Sequence, residues 1–331
     1  MRVVIDSAIP YIKGVLEPYS QVIYLPAKEI TADVVRNADA LIIRTRTKCD
    51  KELLDGSAVK FIATATIGTD HIDHNYCAEH KIKVCSAPGC NARGVLQWMA
   101  AALCHITTLD GCPPGDYTIG VVGVGNVGSL VSQYTRQGGF KVMECDPPRQ
   151  AREGGEFYPI EEIARACDII TLHTPLDSTT YHLVNNALIE IMRPNAIIIN
   201  ASRGEVVDNS AVANSGRRYL FDVWENEPNL DDNILNGATI ATPHIAGYSV
   251  QGKANATAMV VNALAHHFDL PLCEWYPEGI RRTTPRLISW SELCDTISNY
   301  CNIKKESLTL KSSPQNFESI RNCYNYREEY F

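Results

Sequence analysis

In one half of this chain an arginine, a glutamate and a histidine each stand just past a separate apolar run. Arg203 follows Ile197-Ile198-Ile199-Asn200 on a turn closed by Gly204. Glu227 follows Leu220-Phe221-Asp222-Val223-Trp224, and His244 follows Thr239-Ile240-Ala241-Thr242-Pro243. Removing a hydride from a 2-hydroxy acid needs this set. The histidine takes the hydroxyl proton as a base and returns it as an acid. A carboxylate behind it orients the imidazole and favours its charged form. The planar fork of the arginine binds the acid's carboxylate and polarises the C2 oxygen. Each residue alone has a plainer reading: a structural ion pair, a helix-capping loop, a satisfied core histidine. Their company at successive strand ends favours chemistry, because open α/β sheets bind ligands there.

A hydride needs an acceptor. The apolar run Thr118–Val122 leads into Gly123-Val124-Gly125-Asn126-Val127-Gly128, a G-x-G-x-x-G turn. Gly123 permits the tight turn, Gly125 lets backbone approach a pyrophosphate, and Gly128 lets helix and strand pack closely. Asn126 and Val127 open a helix whose free N–H groups and positive dipole end suit phosphates. A second strand, Phe140 to Cys145, ends at Asp146, 18 positions past Gly128. An acid there binds the ribose 2′-OH of NAD and repels the 2′-phosphate of NADP. NAD is therefore the expected cofactor; an ordinary βαβ unit with a capping aspartate is the alternative.

A further cluster, Arg44-Thr45-Arg46-Thr47-Lys48, follows the apolar run Ala40–Ile43. Its cations and hydroxyls are what a phosphate or carboxylate requires. It reads otherwise as a solvated basic loop.

These residues need a scaffold, and the chain is long enough to supply one. Its 331 residues suggest two domains and room for a small third. The hydrophobic content of 45% suits a full core. A net charge of −8 argues against nucleic acid or an anionic membrane as the main partner. No run approaches the ~20 apolar residues of a membrane span, and the N-terminus lacks a signal-peptide layout. The twelve cysteines are irregularly spaced without C-x-x-C, so reduced thiols are expected rather than a metal site or a disulfide frame. A cytoplasmic location follows as an expectation.

Short β-rich runs at Val3–Ile5, Val22–Leu25, Ala40–Ile43, Phe61–Ala65 and Lys83–Cys85 alternate with helical stretches. After Pro88-Gly89, Asn91 to Thr108 reads as a long apolar helix. A second series has strands near 119–122, 141–145, 169–172, 196–200, 220–223 and 239–241. Ser249 to Phe268 reads as a helix returning to the first domain, and helices are expected near 289–300 and 315–325. The fold class is α/β: a doubly wound parallel-sheet Rossmann NAD domain, a smaller flavodoxin-like α/β substrate domain and a short C-terminal α+β extension. The expected boundaries are 1–89 with 249–275 for the substrate (lid) domain, 90–248 for the NAD domain, and 280–331 for an abbreviated dimerisation domain.

The glycine turn, Asp146, Asn200-Ala201-Ser202-Arg203-Gly204, Asp222 through Pro228 and Thr242-Pro243-His244 resemble the D-isomer-specific 2-hydroxyacid dehydrogenases. That resemblance implies Arg203 as the substrate-binding arginine, Glu227 as the carboxylate behind the histidine, and His244 as the acid–base. Ala63 through Asp73, Ala87 through Ala92, His244 through Ser249 and the tail from Asn316 through Glu329 resemble a branch acting on a phosphorylated four-carbon hydroxy acid. The branch implies substrate contacts at Thr45, Thr66 and Tyr248, NAD contacts at Asp146, Thr174, Asp222 and Gly247, and a homodimer. Arg44 and Arg46 join the substrate set from their own chemistry. Other acids (3-phosphoglycerate, glyoxylate or hydroxypyruvate) and a non-catalytic NAD-binding scaffold are the competing readings. Four places differ from the family: Asn209–Phe221 and Pro175–Thr180 are short, Arg93-Gly94 with Gln97 interrupt the long apolar helix, and Phe331 comes soon after the tail motif, so an abbreviated dimerisation domain is expected. A glycine inside a helix costs about 1 kcal/mol against alanine.

Overall fold

A computed structural model describes residues 1–272 and 274–331. The chain divides into two compact units, Met1–Asn91 with Val250–Arg282, and Ala92–Ser249 with Thr283–Phe331.

The first unit is built on five parallel strands: β1 (Arg2–Asp6), β2 (Gln21–Leu25), β3 (Ala40–Ile43), β4 (Phe61–Thr64) and β5 (Lys83–Cys85). Their order is β2-β1-β3-β4-β5. β3 and β4 are buried along their whole length, as strands covered on both faces must be. Val4, Leu41, Ile43 and Ile62 pack against Val35, Leu54 and Tyr76. Val3, Ile42, Phe61 and Ala63 pack against Ile12, Leu16 and the helix Val250–His267 through Val260, Val261 and Leu264. The order reverses between β1 and β3, so residues 44–48 leave the sheet at its switch point.

The second unit has six parallel strands: β6 (Thr118–Val122), β7 (Lys141–Cys145), β8 (Ile169–Leu172), β9 (Ile197–Asn200), β10 (Tyr219–Phe221) and β11 (Ile240–Ala241). The order β11-β10-β9-β8-β6-β7 puts the switch point between β6 and β8, beside the glycine turn. Helices Ala92–Asp110 and Asn126–Gln137 cover one face, Trp98, Met99, Leu103 and Val131 meeting Ile119, Val121, Ile197 and Leu220. Ile163, Leu188, Val212 and Ile234 cover the other.

The C-terminal residues pack on this second unit. Leu293 and Ile297 of helix Trp290–Tyr300 join the first face, and Leu310 and Phe317 join the second. A helix at Ile303–Ser312 stands between the two expected ones. Its sequence IKKESLTLKS buries only Ile303, Ser307 and Leu310, too thin an apolar stripe to declare itself. The last helix is short, Phe317–Asn322, and among the described residues the extension's one β feature is the bridge Ser249 to Arg327. The short stretch after Asp208 forms a helix of six residues, Asn209–Asn214, capped by the Asp208 side chain. Among the described residues no helix is long and apolar enough to cross a membrane.

Candidate active site

The loop after β9 is shaped by Asn200. Its amide nitrogen donates to the Arg203 carbonyl at 2.8 Å, and its oxygen accepts from Ser202 N at 3.0 Å and Ser202 Oγ at 2.8 Å. Arg203 is half-buried and donates Nη1 to the Ser202 carbonyl at 2.8 Å. Gly204 has no room for a side chain, since a Cβ would lie 2.0 Å from the Trp224 carbonyl. That close approach joins the β9 loop to the β10 loop.

Asp222, at the end of β10, is buried, and its carboxylate accepts three bonds from the histidine loop. The donors are Thr242 Oγ1 at 2.6 Å, Ile245 N at 2.8 Å and Ala246 N at 2.8 Å. Burial pushes this carboxyl above its ordinary range, although the His244 charge and these bonds oppose it. Its main-chain oxygen accepts from His244 N at 2.7 Å. His244 is held at φ 57°, a left-handed conformation that costs a non-glycine residue roughly 1–2 kcal/mol. The bonds to Asp222 impose it.

The histidine meets its carboxylate directly. Glu227 Oε2 is 2.8 Å from His244 Nδ1, and Oε1 accepts from Trp224 N at 2.9 Å. With Nδ1–H donating to Glu227, the Nε2 atom is left for proton exchange. Burial pushes the Glu227 carboxyl up, but His244 through charge and hydrogen bond, Arg321 through charge, and the Trp224 N–H together bring it below its usual range.

Arg321 is the residue that sequence reading missed. It comes from the last helix, donates Nε to the Tyr248 hydroxyl at 3.2 Å and places Nη1 3.9 Å from Glu227 Oε2. The same tail grips the loop that follows His244. Arg327 donates to the carbonyls of Ile245 at 3.0 Å, Gly94 at 2.8 Å and Ala246, and Ser249 Oγ donates to Glu329 at 2.6 Å. Gly94 and Gln97 belong to this clamp. A Cβ on Gly94 would sit 3.1 Å from Ser249 Oγ and 3.3 Å from Gly247, and Gln97 Nε2 donates to the Glu328 carbonyl at 2.9 Å. Both departures from an apolar helix thus have a packing reason. Tyr248 also meets Tyr324 and Tyr326 edge-on.

The glycine turn fits a dinucleotide. Gly123 has φ 85°, and a Cβ on Gly128 would fall 1.9 Å from the Gly123 carbonyl oxygen. A Cβ on Gly125 would meet nothing within 4 Å, and Gly125 caps the helix Asn126–Gln137 with no side-chain bond to its amides. Amides so exposed at Asn126 and Val127 are those a pyrophosphate would accept from. Thr174, past β8, has a buried Oγ1 without a hydrogen-bond partner. Asp146 accepts from Val124 N at 2.7 Å and Arg149 N at 2.9 Å, which fixes it beside the turn.

In the first unit, Arg44 to Lys48 and Ala65 to Thr69 leave adjacent strands, Ile43 pairing with Thr64. Thr45 and Arg46 are exposed, while Arg44 is half-buried and reaches the Ala8 carbonyl at 3.4 Å. The Thr66 hydroxyl is 2.6 Å from that of Thr64, which is 3.2 Å from His71 Nε2.

Residues 103–246 match the family described as D-isomer specific 2-hydroxyacid dehydrogenase, NAD binding domain, so the second unit carries that NAD-binding domain. Among solved structures, NAD+-bound 3-phosphoglycerate dehydrogenase of Entamoeba histolytica is similar with a TM-score of 0.68 at 25% identity, covering 87% of this chain and 99% of that one. The chain is 44% identical to erythronate-4-phosphate dehydrogenase of Bacteroides fragilis, over 99% of this chain and 97% of the relative. It is 42% identical to the enzyme of that name from Ectopseudomonas mendocina, over 82% of this chain and 73% of the relative. The chain belongs to the erythronate-4-phosphate dehydrogenase family of D-isomer-specific 2-hydroxyacid dehydrogenases.

Proposed function

We propose that the protein is an NAD-dependent oxidoreductase that converts 4-phospho-D-erythronate to 2-oxo-3-hydroxy-4-phosphobutanoate, a step toward pyridoxal phosphate. The Glu227–His244 hydrogen bond of 2.8 Å, set in the strand-end loops of a sheet that also carries the glycine turn, is the observation that supports it most. Bound NAD would supply the acceptor for the hydride lost from C2. His244 Nε2 takes the C2 hydroxyl proton, and Glu227 stabilises the imidazolium that forms. Arg203 grips the substrate carboxylate and fixes which face of C2 is presented. Arg44, Thr45, Arg46, Thr66 and Tyr248 bind the remaining oxygens, the phosphate above all. Gly123, Gly125, Asn126, Val127, Gly128, Asp146, Thr174, Asp222 and Gly247 form the NAD site, with Asp222 acting mainly through the loop it holds. A cytoplasmic homodimer is part of the same reading, and light scattering on the purified protein tests its dimeric state.

The test is turnover of the purified protein with NAD and 4-phosphoerythronate, run with and without a 2-oxo acid to reoxidise bound NADH. A kcat/KM at least tenfold above those for 3-phosphoglycerate and for glyoxylate or hydroxypyruvate, each assayed in its own direction, is expected. Preference for an unphosphorylated acid would remove the phosphate role of residues 44–48. NAD binding by calorimetry with no turnover of any acid would leave a scaffold.

A further inference from the structure

The tail does more than pack. Phe317, buried in the second unit's core, anchors the last helix so that Arg321 reaches the strand-end loops. The Arg321 side chain is 22% exposed and the Glu227 side chain 18%, so their charges act on each other with little screening by water. The guanidinium carbon also lies 5.9 Å from the Tyr248 ring centroid. One fork therefore touches both the carboxylate behind the histidine and the phenol that follows the histidine loop.

We propose that Arg321 is a positioning residue of this site, which sets the charge balance of the Glu227–His244 pair and aims the Tyr248 hydroxyl. The inference rests on the reading of His244 as the acid–base group. A carboxylate with only a histidine for company would hold the imidazolium strongly and leave a poor base for oxidation. A second cation on the same oxygen competes for the charge of Glu227. Other charged and titratable groups face the pair and its arginine, and Glu318, on the same helix as Arg321, acts on the Arg321 charge. Asp222 lies under the histidine loop and feels the His244 charge, Tyr248 stands beside Arg321, and Arg327 holds the Ile245 and Ala246 carbonyls. Asp222 and Glu227 favour the imidazolium, and Arg321 opposes it.

The direction of the effect follows. Removing the cation in Arg321→Met strengthens the hold of Glu227 on the imidazolium. The midpoint of His244 then rises by about one pH unit, and the acid limb of kcat/KM for oxidation moves up with it. Glu227→Gln moves both the other way. Arg321→Lys keeps the charge and leaves the limb in place, while losing the fork on Tyr248 and raising KM. Tyr248→Phe leaves the midpoint unchanged.

The experiment is a proton–carbon NMR titration of the histidine ring in the intact protein, assigned with His244→Asn, alongside pH–rate profiles and thermal midpoints. A His244 midpoint that rises in Arg321→Met and stays put in Arg321→Lys supports the proposal. A midpoint unmoved in Arg321→Met, with only the thermal midpoint falling, overturns it and leaves a structural arginine. Arg321→Gln takes the place of Met where the apolar side chain disturbs folding. The titration needs no substrate, so a wild-type protein that fails to oxidise 4-phosphoerythronate while its His244 midpoint still responds to Arg321 would sink the functional reading alone.

Discussion

The loops at the carboxyl ends of the two sheets are built in opposite styles. In the second unit residues 200–204, 222–227 and 242–249 are tied together by hydrogen bonds, down to a buried carboxylate with three donors and a histidine at positive φ. In the first unit Thr45 and Arg46 stand exposed at a switch point and the Arg44 bond is long at 3.4 Å. Proton transfer to a small acid requires a base held within a few tenths of an ångström, so rigidity is useful before any ligand arrives. An anion can be met by long cationic side chains that settle around it, at the cost of ordering them on binding.

That contrast breaks or sharpens under substitution. The largest effect is expected at the rigid loops: His244→Ala or Arg203→Ala should lower kcat/KM by about 10²- to 10⁴-fold with an unchanged circular-dichroism spectrum. Wild-type rates in both variants would remove the site. Next, Gly204→Ala must force the β9 loop off the Trp224 carbonyl and should cost about 1–3 kcal/mol in urea unfolding as well as most of the activity. Thr45→Ala, by contrast, should leave unfolding untouched.

In the loop after β3, Arg44→Ala and Arg46→Ala should each raise KM for the phosphorylated acid by about tenfold and change kcat little. Their effect should shrink at high salt. If kcat fell as much as kcat/KM, these arginines would act in the transition state, and the contrast between the loops would fail. Asp146→Ser should narrow the preference for NAD over NADP by about tenfold, read from the two cofactors' kcat/KM values.

The smallest effect is on acid stability. The Glu227 carboxyl lies below its usual range in the folded protein, so its stabilisation is fully present above the unfolded value of about 4.3 and is lost as pH falls through the folded one. Glu227→Gln should therefore flatten the drop of unfolding free energy between about pH 5 and 3. An unchanged slope would mean that the pair contributes nothing to folding.

Much of this was legible because its signals are local. The Gly123–Gly128 spacing, the acid at Asp146 and the polar residues just after apolar runs lie within a few residues of the strands that position them. The helix Ile303–Ser312 was hidden because its buried stripe is only three residues wide. Gly94 and Gln97 looked like flaws in a helix, since the tail that needs them lies more than 230 positions away. Arg321 lay inside the tail stretch that resembles the branch, but nothing local to it pointed toward Glu227.

Composition, period and spacing by themselves determined two α/β sheets and the glycine turn between strand and helix, and singled out residue types that suit a hydroxy-acid site. They could do so because hydrophobic alternation and turn chemistry act between near neighbours. Only the tertiary structure decided that Asp222 takes the amides of Ile245 and Ala246 while Arg327 takes their carbonyls, and that a C-terminal arginine comes within 3.9 Å of Glu227. Side chains up to 94 positions apart meet there through core packing, and no local pattern records which of them will do so.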